Sequence, residues 1–120
     1  MTFAELKAAA YRARPVPDGL TDTERVQYLL LRRVYAGFQT GEIHRTEAEP
    51  MVGVAEQYAN LRIKEKRALL RYLGAFLEQD AAQGDPEAQR HTAFVAGQLM
   101  KADALIERKK FNKNGKEGIA

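Results

Sequence analysis

Thr21-Asp22-Thr23-Glu24-Arg25-Val26-Gln27-Tyr28-Leu29-Leu30-Leu31-Arg32-Arg33-Val34-Tyr35-Ala36-Gly37-Phe38 is the stretch on which the fold turns. Thr21 and Glu24 stand at the T-x-x-E spacing of a capping box, in which each side chain satisfies a backbone donor of the other. Beyond them Val26, Leu30, Val34 and Phe38 recur at near-helical spacing, and Tyr28, Leu29, Leu31 and Tyr35 widen the apolar stripe. A face this broad needs cover from two sides. The segment is therefore expected to be the central helix of a helical assembly, stopped by Gly41.

Upstream, Thr2 and Glu5 repeat the capping box, predicting a first helix over about residues 3–13 with Phe3, Leu6, Ala10 and Ala13 on one face and Pro15 beyond its end. Residues 14–20 hold two prolines and an Asp18-Gly19 turn signal, a stiff connector that folds this helix back on the next. Downstream, residues 41–48 read as a tight turn with Ile43 packed inward and His44 or Thr46 as the next N-cap. Pro50 predicts a kink in the third helix or a restart at that residue. Val54, Tyr58, Leu61, Leu69, Leu73, Phe76 and Leu77 could then line one face to about residue 82. The charged run at 62–67 interrupts that face, so a break near Asn60 is the alternative. Gly84-Asp85-Pro86 supplies a C-terminal cap, an N-cap and a first helical residue in succession. A last helix over about 86–110 places Ala88, His91, Val95, Leu99, Ala102 and Ile106 near a heptad seam that packs along the third.

The expected fold class is all-α: a small bundle of about four helices with a kinked or broken third helix. Residues 1–110 form a single helical domain in this reading, and 111–120 a basic flexible tail. Nineteen alanines and twelve leucines, with few β-branched residues and no alternating run of them, support it.

At 120 residues, 45% hydrophobic and 29% charged, the chain fits one globular domain rather than a disordered segment. No apolar run approaches the roughly 18 to 20 residues of a membrane span, and the N-terminus lacks an apolar leader core, so no membrane partner and a cytoplasmic location are expected. The absence of cysteine, with His44 and His91 the only histidines, removes the usual zinc, redox and thiol-nucleophile sites. The net charge of +3 is mild and gathers toward the two ends.

Glu87 and His91 lie four apart on one helix face, an ordinary i to i+4 pair that lacks the third ligand of a zinc site. Glu47 and Glu49 beside His44 suit a helix first turn. The glycines form neither a G-x-x-x-x-G-K-[ST] loop nor a G-x-G-x-x-G turn. Neither a catalytic set nor a cofactor site is expected, and the chain reads as a non-enzyme. Two surface features remain. Arg62, Lys64, Lys66, Arg67 and Arg71, with Lys109 and Lys110 farther on, could meet phosphates or an acidic partner surface, though such runs are commonly solvated faces. Tyr11, Tyr28, Tyr35, Tyr58, Tyr72, Phe38, Phe76 and Phe94 exceed what a small bundle readily buries; most of them are expected in the core, and the remainder suits a protein interface.

Pro17-Asp18-Gly19-Leu20, the Tyr28-Leu29-Leu30-Leu31-Arg32 helix and the Gly41-Glu42-Ile43-x-x-x-Glu47-Ala48 turn resemble a group of short uncharacterised helical proteins of Firmicutes prophages and mobile elements. The resemblance covers about residues 1–60; His44 stands where that group carries Thr or Ser, and Pro50 departs from its pattern. It implies an accessory protein that binds and inhibits or adapts a host protein or ribonucleoprotein complex, anti-CRISPR and other anti-defence inhibitors being of this type. A small nucleic-acid-binding protein using the basic helix face is the alternative. A homo-oligomer assembled through the last helix is the third reading.

Overall fold

A computed structural model describes residues 1–110 in full and, over 111–119, only the backbone course of the last helix, so the expected tail lies outside the fully described residues. The described residues form five α-helices and no strand: α1 (Phe3–Tyr11), α2 (Asp22–Thr40), α3 (Arg45–Glu56), α4 (Ile63–Ala82) and α5 (Pro86–Ile119). A 3-10 turn over Tyr58–Asn60 separates α3 from α4. The chain's contacts divide it into two compact units, Met1–Asn60 and Leu61–Ala120.

In the first unit α2 packs against both α1 and α3, the two-sided cover that its broad apolar face requires. Val26, Tyr28, Leu29, Leu30, Leu31 and Val34 are all buried along it, and α1 contributes Leu6, Ala9 and Ala10. Both capping boxes are formed, with Glu5 N–H donating to Thr2 Oγ1 at 3.1 Å and Glu24 N–H to Thr21 Oγ1 at 3.1 Å. Thr2 and Thr21 return the contact from their backbone N–H groups to the glutamate carboxylates.

Helix α1 ends at Tyr11, two residues short of the expected Ala13 and well before Pro15. Ala13 adopts the left-handed conformation, φ 54°, with Ala13 N–H donating to Ala10 O at 3.0 Å and Arg14 N–H to Ala9 O at 3.1 Å. This is the paired bonding of a Schellman cap, built on a residue with a Cβ where glycine is usual.

The third helix is broken rather than continuous, which raises the helix count from about four to five. Pro50 is neither the break nor a restart: it sits inside α3, exposed, where its missing N–H forfeits one bond. The break falls at 57–62, ending in Arg62, whose extended backbone (φ −67°, ψ 153°) precedes α4. At 100° per residue a continuous helix would set Tyr58 about 120° around the axis from Leu70. Both side chains are buried, and the interruption lets each serve its own unit. Val54, expected on the buried face, is exposed, and Ala55 is buried in its place.

In the second unit α4 and α5 form an antiparallel hairpin. Gly84, at φ 95°, lets Asp85 N–H reach Asp80 O at 3.0 Å, closing α4. Asp85 Oδ1 then accepts from Glu87 N–H at 3.0 Å and opens α5 at Pro86. Leu70 and Leu73 of α4 are buried, as are Ala88, His91, Val95, Ala102 and Ile106 of α5. These α5 residues are five of the six in the heptad seam. Packed on α4 within one chain, the seam is not a free face for a second copy.

Candidate functional site

A concavity lined by described residues lies in the first unit, a cleft of about 310 Å³. Three helices build it. Helix α1 gives Lys7 and Tyr11, four apart and so on one face; α2 gives Tyr35 and Phe38; α3 gives Arg45, Ala48, Glu49 and Val52, a stripe at i, i+3, i+4 and i+7.

Each wall is fixed by contacts traceable to sequence. The end of α1 and its connector are held by three α2 side chains that reach for backbone oxygens. Tyr28, whose side chain is fully buried, donates its hydroxyl to Arg14 O. Arg32 Nη1 donates to the same oxygen at 2.6 Å, and Gln39 Nε2 donates to Tyr11 O at 3.0 Å. The Tyr11 and Tyr35 rings then meet edge to face, centroids 5.4 Å apart at 82°, an arrangement favoured by the aromatic quadrupole.

The α3 wall is set by the turn at 41–44. Ile43 N–H donates to Gly37 O at 2.9 Å, and Ile43 packs with Val34 and Ala48, flanked by Met51 and Val52. Gly37 is what admits Ile43: a Cβ there would stand 2.5 Å from Ile43 Cδ1. His44 is the N-cap of α3, with Nδ1 accepting from Thr46 N–H at 3.3 Å. At the far end of α3, the buried Gln27 side chain donates to Ala55 O at 3.0 Å and Glu56 O at 3.2 Å.

The cleft is apolar with a charged rim. Tyr11 is 53% exposed and Phe38 36%, large values for aromatics in a small unit. Burial, with a smaller contribution from neighbouring Tyr11, raises the Tyr35 phenol above its ordinary pKa. Arg45 Nε and Glu49 Oε1 pair at 3.4 Å across exposed side chains. Lys7 is half-buried and has no ion pair among the described residues.

The sequence-derived basic positions lie in the second unit, where Lys64, Arg67 and Arg71, at i, i+3 and i+7, share one face of α4. Arg62 precedes α4; Lys64 and Arg71 are exposed, while Lys66 and Arg67 are half-buried. Arg67 Nη1 reaches Asp103 Oδ1 of α5 at 3.6 Å, so that cation is already engaged. This contact also sets the hairpin register: α5 beyond Ile106 runs level with the first turn of α4. Lys109 and Lys110, both exposed, thereby come to the same end of the unit as Arg62 and Lys64. His91 Nε2 and Glu87 Oε1 lie 3.2 Å apart on α5, and no group of three potential metal ligands gathers among the described residues.

Of the cleft residues, the aromatic surplus in the sequence points to Tyr11, Tyr35 and Phe38. Lys7, Arg45 and Val52 carry no sequence signal of their own. Only the four-residue step from Lys7 to Tyr11 and the α3 stripe could have singled them out, once a helix pairing was known. Comparisons with protein-family models, with curated proteins and with solved structures give no match to the chain.

Proposed function

We propose that the chain is a non-enzymatic binding protein of the mobile-element accessory type, which occupies a surface of a host protein or ribonucleoprotein in fixed stoichiometry through the aromatic cleft of its first unit. The observation that carries this reading is the pair of exposed aromatics, Tyr11 and Phe38, standing over a concavity of about 310 Å³. Aromatic side chains set around a pocket are the residues that dominate protein–protein affinity, each truncation there costing about 2 kcal/mol or more.

The test is affinity capture from nuclease-treated lysate at high salt, followed by titration of the captured partner. Saturation at a fixed ratio is expected. The Tyr11→Ala/Phe38→Ala double variant, with unchanged helical circular dichroism, should weaken binding by roughly a thousandfold if each residue contributes as such anchors do. A folded double variant that binds as tightly as the parent removes the cleft from this function.

A second reading is phosphate contact by nucleic acid at the basic end of the α4–α5 hairpin. It is favoured by the register that gathers Arg62, Lys64, Lys109 and Lys110 there. Such binding falls steeply with salt, the logarithmic slope scaling with the number of phosphates neutralised. Lys64→Glu/Lys109→Glu should then abolish nucleic-acid retention and leave capture through the cleft intact.

A further inference from the structure

We infer that the cleft is built for an acidic amphipathic helix of a protein partner, which inserts one apolar side chain between Tyr11, Phe38 and Val52 and sets a carboxylate on Lys7. The inference rests on the docking reading above and adds the chemistry of the occupant. Its basis is the charge bookkeeping around the cleft. Three charged residues line it, and Arg45 and Glu49 are paired with each other. Of the acids in neighbouring turns, Glu5 and Glu24 close their own capping boxes and Glu42 pairs with Arg33 at 2.6 Å, while Glu47 is exposed at the start of α3. Lys7 is left as a cation without an ion pair among the described residues, half-buried one helical turn from Tyr11.

A lysine so placed lays its alkyl stem along the apolar wall and presents its ammonium at the rim. An occupant that is apolar throughout would leave that charge partly desolvated and unpaired, and a basic occupant would repel it. One carrying an anion beside its apolar group satisfies both. The helical form follows from the setting. The described residues offer no sheet edge to extend, and the cleft runs between two helices over a third, the groove that an amphipathic helix fills with anchors three and four residues apart. The Arg45–Glu49 pair is exposed and weakly held, so Arg45 can turn to a second partner carboxylate.

The test uses two probes on the full chain. In NMR titrations, 3-phenylpropionate and its amide, 3-phenylpropionamide, stand in for an apolar anchor with and without a carboxylate. Both should shift resonances of Tyr11, Tyr35, Ala48 and Val52, with the acid binding about fivefold tighter at low salt, as a charge-assisted contact at a half-exposed site provides. Lys7→Gln should erase that preference, bringing the acid's affinity to that of the amide for the same variant. A helical fifteen-residue peptide with leucines four apart and flanking glutamates should likewise bind more tightly than the same peptide with lysines in place of the glutamates.

Equal affinities of acid and amide for the parent chain, or a lysine peptide that binds as well as the glutamate one, would overturn the inference. The outcomes separate it from the reading it rests on. Partner capture that depends on Tyr11 and Phe38 with no carboxylate preference sinks the acidic occupant alone. Capture indifferent to both aromatics sinks the docking site.

Discussion

Replacing Gly37 with alanine sets two effects of known size against each other. Alanine in place of a glycine inside a helix stabilises by about 1 kcal/mol. At position 37 the new methyl would lie 2.5 Å from Ile43 Cδ1, 2.7 Å from Cγ1 and 3.4 Å from Cβ. Swinging the terminal methyl aside does not clear the overlap, because Cγ1 is also too near. Moving Cγ1 requires rotation about a χ1 that β-branching makes stiff. The backbone of Ile43 is held by its bond to Gly37 O, and its side chain by Val34, Ala48 and the flanking Met51 and Val52. Overpacking of this kind costs about 1–3 kcal/mol. Taking the upper part of that range, since two atoms overlap and the backbone is pinned, the net loss is about 1–2 kcal/mol. In urea, with a slope of roughly 2 kcal/mol per molar, the midpoint should fall by about 0.5–1 M. Tyrosine fluorescence is the natural probe, because four of the five tyrosines lie in the first unit. In an Ile43→Ala background the overlapping atoms are gone, and Gly37→Ala should become neutral or stabilising. A Gly37→Ala variant that is more stable than the parent would refute the close approach of Ile43.

Other outcomes follow from local contacts. Gln27→Met keeps the volume but strips Ala55 O and Glu56 O of their donor, and should cost about 1–3 kcal/mol by denaturant titration; an unchanged midpoint would mean that the bonds contribute nothing. Ala13→Gly relieves a left-handed Cβ costing about 1–2 kcal/mol and adds about 0.4–1 kcal/mol of unfolded-state freedom, so stability should rise by roughly 0.5–1 kcal/mol, and a fall would contradict the cap geometry. The Glu24 carboxylate is held below its ordinary pKa of 4.5 chiefly by the Thr21 backbone N–H and then by the Thr21 hydroxyl. A carboxyl whose folded pKa is depressed adds stability above the unfolded value and loses it as pH falls through the folded one. The melting temperature should therefore drop as acid takes the solution below pH 4.5, and less steeply in Glu24→Gln; parallel curves for the two chains would discount the capping box.

What was legible in the sequence is what is written in consecutive residues. Both capping boxes and the Gly84-Asp85-Pro86 junction are local devices, each complete within a few positions, and they set helix ends where the spacing predicts. The end of α1 was not legible, because the left-handed position is filled by Ala13 instead of glycine and so gives no signal. The break at 57–62 was visible only as an alternative: the charged run interrupts the apolar pattern there, yet nothing local dictates that Tyr58 be buried with the first unit. The cleft was the least legible feature. Its walls come from residues as far apart as Lys7 and Val52, and it exists only because α2 receives α1 and α3 side by side. The aromatic surplus announced that some rings stay at the surface, but not which ones meet. In the basic run, Arg67 is already paired with Asp103, a partner 36 residues away that nothing in the local sequence announces.

The manner in which α2 grips the end of α1 bears on how such a chain can change over time. Tyr28, Arg32 and Gln39 all seize carbonyl oxygens, those of Tyr11 and Arg14, and every amino acid carries that group. The clasp is indifferent to the identity of the residues it holds. Mutation at position 11 can therefore remake one wall of the cleft, ring for ring or ring for chain, without loosening the joint that positions it. Anchoring and the lining of the cleft are written in different parts of the same residue, so selection can rewrite one while the other stays fixed.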